Sequence, residues 1–339
     1  MSQRPPVQTL SLKPQISWQE ELIQAVRDPQ TLLEYLQLPP ELLPRAQAAC
    51  QLFELRAPRP FLDRIAKGDL NDPLLRQVLP IQDELTLTPG YSADPLQEAD
   101  SNPTQGLVHK YHGRVLLVVA PHCAINCRYC FRREFPYQDN NPSRQQWHQV
   151  FDTIRADRSI SEVIFSGGDP LASPDRQLQW MVDQLVDIPH IRRLRVHTRL
   201  PIVIPQRITD DTLRWLADTR LQSVLVLHTN HPNELDHQVG QSIARLRSAG
   251  VTVLNQAVLL QGVNNDLETQ IALSEALFAA GALPYYLHLL DKVQGAAHFA
   301  VADSDAIALH QQMQSRLPGF LVPKLAREEP GALNKTLIF

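Results

Sequence analysis

Pro121-His-Cys-Ala-Ile-Asn-Cys-Arg-Tyr-Cys-Phe131 gathers Cys123, Cys127 and Cys130 within eight residues of a chain that holds only one other cysteine. Three thiolates at such short spacings supply three ligands to a metal centre and leave its fourth position open to a reactant. The loop follows directly on Arg114 to Ala120, an apolar run rich in Val and Leu that reads as a strand. A reactive loop at the carboxyl end of a strand is the layout of α/β folds, which bind ligands along that edge.

Downstream the pattern recurs. Glu162 to Ser166, Leu194 to Thr198, Ser223 to His228, Val251 to Leu259 and Pro284 to Leu290 are further strand candidates, with amphipathic helices between them. Ser143, followed three residues on by Gln146, makes a capping box ahead of Trp147, Val150, Phe151 and Ile154, which share one helical face. Leu267, Ile271, Ser274 and Phe278 share another. Gly281 stands where a left-handed C-terminal residue belongs, as Gly250 does for the preceding helix. Six β/α units in sequence predict an α/β fold, a parallel sheet curled into a partial (β/α)6 barrel over residues 106–339. Residues 1–105 read as an N-terminal helical cap with helices at Trp18 to Val26, Thr31 to Leu36 and Leu42 to Leu55. The Pro-, Asp- and Gln-rich stretch from Asp72 to Pro103 is its irregular connection to the barrel.

With 43% hydrophobic residues the 339-residue chain can bury a sizeable core. Its net charge of -4 gives no overall basic field for a polyanion, so nucleic acid is not an expected partner. Met1 to Gln15 lacks the apolar centre of a signal peptide, and no stretch reaches the roughly 18–20 apolar residues of a membrane span. A soluble, cytoplasmic protein is expected. A reducing cytosol keeps thiols free, which favours metal binding over cross-linking for the cysteine loop. Cys50, alone in an apolar helical run, reads as a buried core residue.

Two metals compete for the loop. A closed zinc site takes four ligands, usually from two separated C-x2-C pairs, and His122 is the near candidate for a fourth. Iron and sulfide match three thiolates on a tight loop better. After the second strand comes Phe165-Ser-Gly-Gly-Asp-Pro170. There Gly167 and Gly168 allow backbone to come close to a ligand, and Asp169 offers negative charge to an ammonium.

The C-x3-C-x-aromatic-C spacing, with Tyr129 as the aromatic, resembles the cluster loop of the radical S-adenosylmethionine enzymes, and Phe165 to Pro170 is similar to their glycine-rich motif. Within that group the chain resembles the lysine 2,3-aminomutases from about Asp94 through Thr336. The motifs, in order, are Asp94-Pro-Leu-Gln-Glu98, His109-Lys-Tyr-His-Gly-Arg-Val115, Cys130-Phe-Arg-Arg133, His228-Thr-Asn-His-Pro-Asn-Glu234, Asn255-Gln-Ala-Val-Leu-Leu260 and Leu290-Asp-Lys-Val-Gln-Gly295. The resemblance implies a [4Fe-4S] cluster on Cys123, Cys127 and Cys130, its remaining iron chelated by S-adenosyl-L-methionine. Tyr129, Gly167, Gly168, Asp169, His228 and Gln256 match contacts to that cofactor. It also implies pyridoxal 5'-phosphate anchored by Lys335, which closes Glu328-Glu-Pro-Gly-Ala-Leu-Asn-Lys335. Tyr111, Arg114 and Lys110 match its phosphate partners, with lysine at 110 where the family commonly has arginine. Arg132 matches the partner of the substrate carboxylate, and Asp291 and Glu328 the two acids that receive its side-chain ammonium. Glu328 is one methylene longer than the usual aspartate.

The implied reaction is isomerisation of free lysine to β-lysine by a 5'-deoxyadenosyl radical. The implied partner is an electron donor such as flavodoxin or ferredoxin, and a homo-oligomer is compatible. Only Thr336 to Phe339 follow Lys335. This resembles the short branch that makes (R)-β-lysine for modification of translation elongation factor P, where a separate ligase attaches the product. An aminomutase for glutamate or arginine, differing at Asp291 and Glu328, is the first alternative. A non-catalytic zinc-binding protein is the second.

Overall fold

The computed structural model describes residues 16–97, 104–135 and 142–339. The stretch Met1 to Gln15, and residues 98–103 at the end of the expected connection, lie outside the described residues. The six expected strands form as β2 (Arg114–Ala120), β3 (Glu162–Gly167), β4 (Arg193–Thr198), β5 (Gln222–His228), β6 (Thr252–Val258) and β7 (Leu283–His288). Three more join them: β1 (Leu107–Tyr111), β8 (Lys324–Arg327) and β9 (Thr336–Leu337).

From β2 to β8 each strand pairs in parallel with the next. At the ends β1 lies antiparallel on β2 and β9 antiparallel on β8. The sheet order runs from β1 to β9 without closing, so the architecture is an open partial barrel. Alternation along each strand sorts residues to two faces. On β4, Leu194 and Val196 join the apolar core under the helices, whereas Arg195 and His197 line an interior cavity. Phe165, Leu225, Leu227 and Leu287 repeat the outward pattern and pack with Phe151, Met181 and Leu246 of the surrounding helices. Burying each such side chain contributes about 1.5–3 kcal/mol.

Local signals set the helix ends. Ser143 and Gln146 form the expected reciprocal cap on Arg144–Ala156, and Gly281 closes Leu267–Ala280 at φ 98°. Before residue 106 the three expected helices form as Trp18–Ile23, Pro29–Tyr35 and Leu43–Leu52, and the short helices Arg59–Leu62 and Pro73–Arg76 follow them. The first stops short of Val26 because Val26 exchanges backbone hydrogen bonds of 2.9 Å with Ala57. The third stops short of Leu55 because Phe53 and Glu54 turn their carbonyls to the Arg128 guanidinium, at 2.8 and 3.3 Å. Leu36, Phe61 and Leu74 of this region belong to the same continuous core as the barrel. Cys50 is half-buried against that core, not enclosed by it, and lies in the last turn of Leu43–Leu52. No helix among the described residues is long and apolar enough to cross a membrane.

Candidate active site

The inward faces of β2 to β8 and the loops at their carboxyl ends enclose one cavity of about 550 Å³. All sixteen residues selected from the sequence line it: the three cysteines, Tyr129, Arg132, Lys110, Tyr111, Arg114, Gly167, Gly168, Asp169, His228, Gln256, Asp291, Glu328 and Lys335. His122 is exposed and lies outside that lining.

At one end stands the cysteine loop. It is sewn to the loop after β3 by Gly168 N donating to Ala120 O at 2.9 Å and Asp169 N to His122 O at 3.0 Å. A Cβ on Gly168 would fall 2.4 Å from His122 O, so this glycine is required by loop-to-loop contact. Asp169 is buried, and its carboxylate accepts from Thr198 Oγ1 (2.6 Å), Leu171 N (3.0 Å), Arg199 N (2.7 Å) and Leu200 N (2.9 Å). Those four donors use its acceptor positions within the protein. They fasten the glycine-rich loop to the end of β4, on a residue that also lines the cavity.

The cysteine loop is also gripped from the cap. Arg128, fully buried, pairs with Glu84 through Nε–Oε1 at 2.8 Å and Nη2–Oε2 at 2.5 Å, and Arg133 adds a contact to Glu84 at 2.9 Å. Tyr129 lies within a polar network. Its hydroxyl is 2.8 Å from His228 Nε2 and accepts from Asn230 Nδ2 at 2.7 Å and from Arg199. Enclosure first, and the Arg199 charge second, push the His228 imidazole down to about 3, so it is neutral. Arg199 escaped the sequence reading, although its guanidinium donates to Cys127 Sγ at 2.7 Å.

At the other end, Lys335 Nζ donates to Glu328 Oε2 at 2.7 Å, and Lys110 Nζ lies 3.5 Å from Glu328 Oε1. Burial would raise the Glu328 carboxyl, but Lys335, Lys110 and Arg132 together bring it down to about 2. Arg114 lies over the Tyr111 ring at 4.8 Å, and Lys335 over the Tyr286 ring at 5.8 Å. Between the two ends, Arg132 donates to Ser166 Oγ at 3.3 Å and Gly167 O at 3.2 Å. His197 Nε2 and Arg195 Nε are buried polar atoms without a hydrogen-bond partner, on residues that line the cavity.

Residues 117–270 match the Radical SAM superfamily. The L-lysine 2,3-aminomutase of Haemophilus influenzae is 50% identical over 321 residues, 95% of this chain and 95% of that protein. That of Escherichia coli is 50% identical, covering 97% and 96%, and that of Buchnera aphidicola 43%, covering 95% of each. The chain belongs to the L-lysine 2,3-aminomutase family.

This radical SAM aminomutase family works with a [4Fe-4S] cluster, S-adenosylmethionine and pyridoxal phosphate, and the residues present suit all three. Burial, then the neighbouring thiols, hold the Cys123 thiol well above its ordinary value and push that of Cys130 up to about 12. These two thiols ionise readily only when a cationic centre takes up the charge. Among the described residues no three His, Cys, Asp or Glu side chains close around a point that one metal ion would fill. A cluster, whose thiolates each take a different iron, does not require that arrangement. At the far end an amine, two further cations and a phenol face the cavity, the donor set for an aldehyde and a phosphate. The unpartnered His197 and Arg195 nitrogens leave hydrogen-bonding capacity for a polar occupant.

Proposed function

We propose that this aminomutase converts L-lysine to β-lysine by moving its amino group from the α- to the β-carbon. The observation that carries the reading is one cavity bounded by three cysteines at one end and Lys335 at the other, with Arg132, Asp291 and Glu328 among its walls. When bound, the cluster with S-adenosylmethionine supplies a hydrogen-abstracting radical, and pyridoxal phosphate supplies an aldehyde that holds the migrating nitrogen.

The side chains orient and neutralise. Cys123, Cys127 and Cys130 hold the cluster; Tyr129, Gly167, Gly168, Asp169, His228 and Gln256 form the wall against S-adenosylmethionine. Lys335 holds pyridoxal phosphate, with Tyr111, Arg114 and Lys110 around its phosphate. Lys110 contributes a point charge where arginine would contribute a fork. Arg132 takes the lysine carboxylate, and Asp291 and Glu328 take the side-chain ammonium, because either charge buried alone costs several kcal/mol. The Lys335 ammonium now on Glu328 stands in for that substrate ammonium, and Glu328, ionised down to about pH 2, can exchange one for the other. An acid pair at this position suits a cationic side chain and opposes glutamate.

Residues 106–339 would carry the chemistry, and residues 1–105 would brace the cysteine loop. The finer reading is a cytoplasmic enzyme that draws electrons from a flavodoxin or ferredoxin and makes (R)-β-lysine for a ligase acting on elongation factor P. It rests on resemblance to the shorter members, 95% and 96% of whose length the chain spans in the first two relatives. The test is anaerobic reconstitution followed by chiral chromatography after incubation with L-lysine, arginine or glutamate. β-Lysine from lysine alone is expected, and a fully loaded enzyme that leaves lysine unchanged overturns the assignment.

A further inference from the structure

We propose that Arg199 tunes the reduction potential of the cluster by hydrogen-bonding the Cys127 sulfur, with Glu234 as the counter-charge that trims its effect. This rests on the reading of Cys127 as a cluster ligand. Arg199 Nη1 lies 2.7 Å from Cys127 Sγ, while Nη2 reaches Gln77 Oε1 at 2.7 Å and Glu234 Oε2 at 2.9 Å. The residue is 6% exposed, its backbone N is fixed by Asp169 at 2.7 Å, and its guanidinium stacks near Phe61 at 5.4 Å. Its Nε is buried without a hydrogen-bond partner. The guanidinium is therefore held on the sulfur by Gln77, Glu234 and the Phe61 ring, with its Nε left unpartnered.

The sign follows from charge. Reduction adds one electron from an external one-electron donor to the cluster and its thiolates, with no bond made or broken in the protein. A fixed cation donating to one of those sulfurs favours the more negative, reduced state, and hydrogen bonds to sulfur are a recognised lever on such potentials. Glu234, fully buried on the far side of the guanidinium, opposes it through the same low-dielectric ground. Arg199 is a positioning residue here; it acts through Cys127.

Redox titration of the reconstituted enzyme, followed by electron paramagnetic resonance, tests this on wild type, Glu234→Gln and the double variant Arg199→Met/Glu234→Gln. The double variant removes both charges together, so no lone ion stays buried. Glu234→Gln is expected to raise the midpoint. The double variant is expected to lower it below wild type by about 59 mV, a tenfold fall in the reduced-to-oxidised ratio at fixed potential. Iron and acid-labile sulfide are assayed on each sample. Wild type without them overturns the cluster reading, and this inference with it. Loaded variants with unchanged midpoints, or with shifts in one common direction, overturn this inference alone, because a purely structural arginine would not separate the two signs.

Discussion

The two ends of the cavity are built in opposite ways. At the cysteine end nearly every group is held by several others: Asp169 by four donors, Arg128 by Glu84 and two carbonyls, Tyr129 by His228, Asn230 and Arg199. At the lysine end, Lys335 precedes a two-residue strand secured by its pairing to β8 and by Ile338 N on Leu325 O at 3.0 Å. Its carboxylate partner is shared with a second lysine. The first end is held rigidly by its own hydrogen bonds. The second can trade one cation for another, as a site that binds and releases an ammonium must.

Cutting each end separately gives the largest effects. Cys127→Ala is expected to remove the cluster and all turnover while pyridoxal phosphate still binds. Lys335→Ala is expected to abolish covalent cofactor attachment and lysine turnover while reductive cleavage of S-adenosylmethionine continues. Absorbance of the two cofactors, with 5'-deoxyadenosine release, reads both. Loss of cleavage in Lys335→Ala would show the ends to be one unit.

Stability separates them next. Glu84→Gln leaves the fully buried Arg128 without its counter-charge, a loss of about 3–5 kcal/mol. Denaturant unfolding should register it directly. Glu328→Gln, by contrast, should raise the KM for lysine while the unfolding midpoint moves much less, since Lys335 and Lys110 retain some access to water. Equal destabilisation by the two substitutions would contradict the division.

Acid should separate His228 from Glu328. His228 falls from an ordinary 6.5 to about 3 in the folded chain, so the unfolded chain takes up the proton first. Its contribution to stability is complete above pH 6.5 and is lost as pH falls toward 3. For Glu328, lowered from 4.5 to about 2, the same loss occupies the window from pH 4.5 to 2. His228→Gln is therefore expected to flatten the stability–pH curve between 6.5 and 4.5 by up to one proton, where Glu328→Gln leaves it unchanged. Parallel curves for wild type and His228→Gln would remove the histidine from this account.

How much of this could be read in advance depends on the range of each signal. The six central strands show themselves because an apolar pattern over six or seven residues is local, and so are the caps at Ser143 and Gly281. β8 and β9 do not, because Lys-Leu-Ala-Arg and two residues are too short to carry a period. The cysteine loop announces itself by spacing, whereas Lys335 is selected by family resemblance alone. Arg195 and His197 look like the wet face of a half-buried strand; only the curl of the sheet turns that face inward. Arg199 is invisible for a similar reason, since its partners Cys127, Gln77 and Glu234 stand 72, 122 and 35 residues away. Asp169 shows the same limit from the other side: its charge is plain in the chain, but its four internal donors lie two, 29, 30 and 31 residues away.

The smallest effect is the most discriminating, because it applies one substitution to both ends. At Gly168 an added Cβ meets the His122 backbone at 2.4, 2.6 and 2.8 Å, and neither loop can yield without moving Cys123. Gly168→Ala should therefore cost cluster occupancy. Gly331, in the turn ahead of Lys335, has φ 75° and nothing within 4 Å of where a Cβ would stand. Gly331→Ala pays only the left-handed backbone penalty, about 1–2 kcal/mol. In a chain of this size that lowers the thermal midpoint by a few degrees at most, roughly 2–4 °C. Cluster content should stay at the wild-type value, and lysine turnover should change less than tenfold. If Gly331→Ala instead abolishes turnover with both cofactors bound, the turn holds Lys335 as rigidly as the glycine-rich loop holds the cysteines, and the contrast between a fixed end and an exchangeable end is lost.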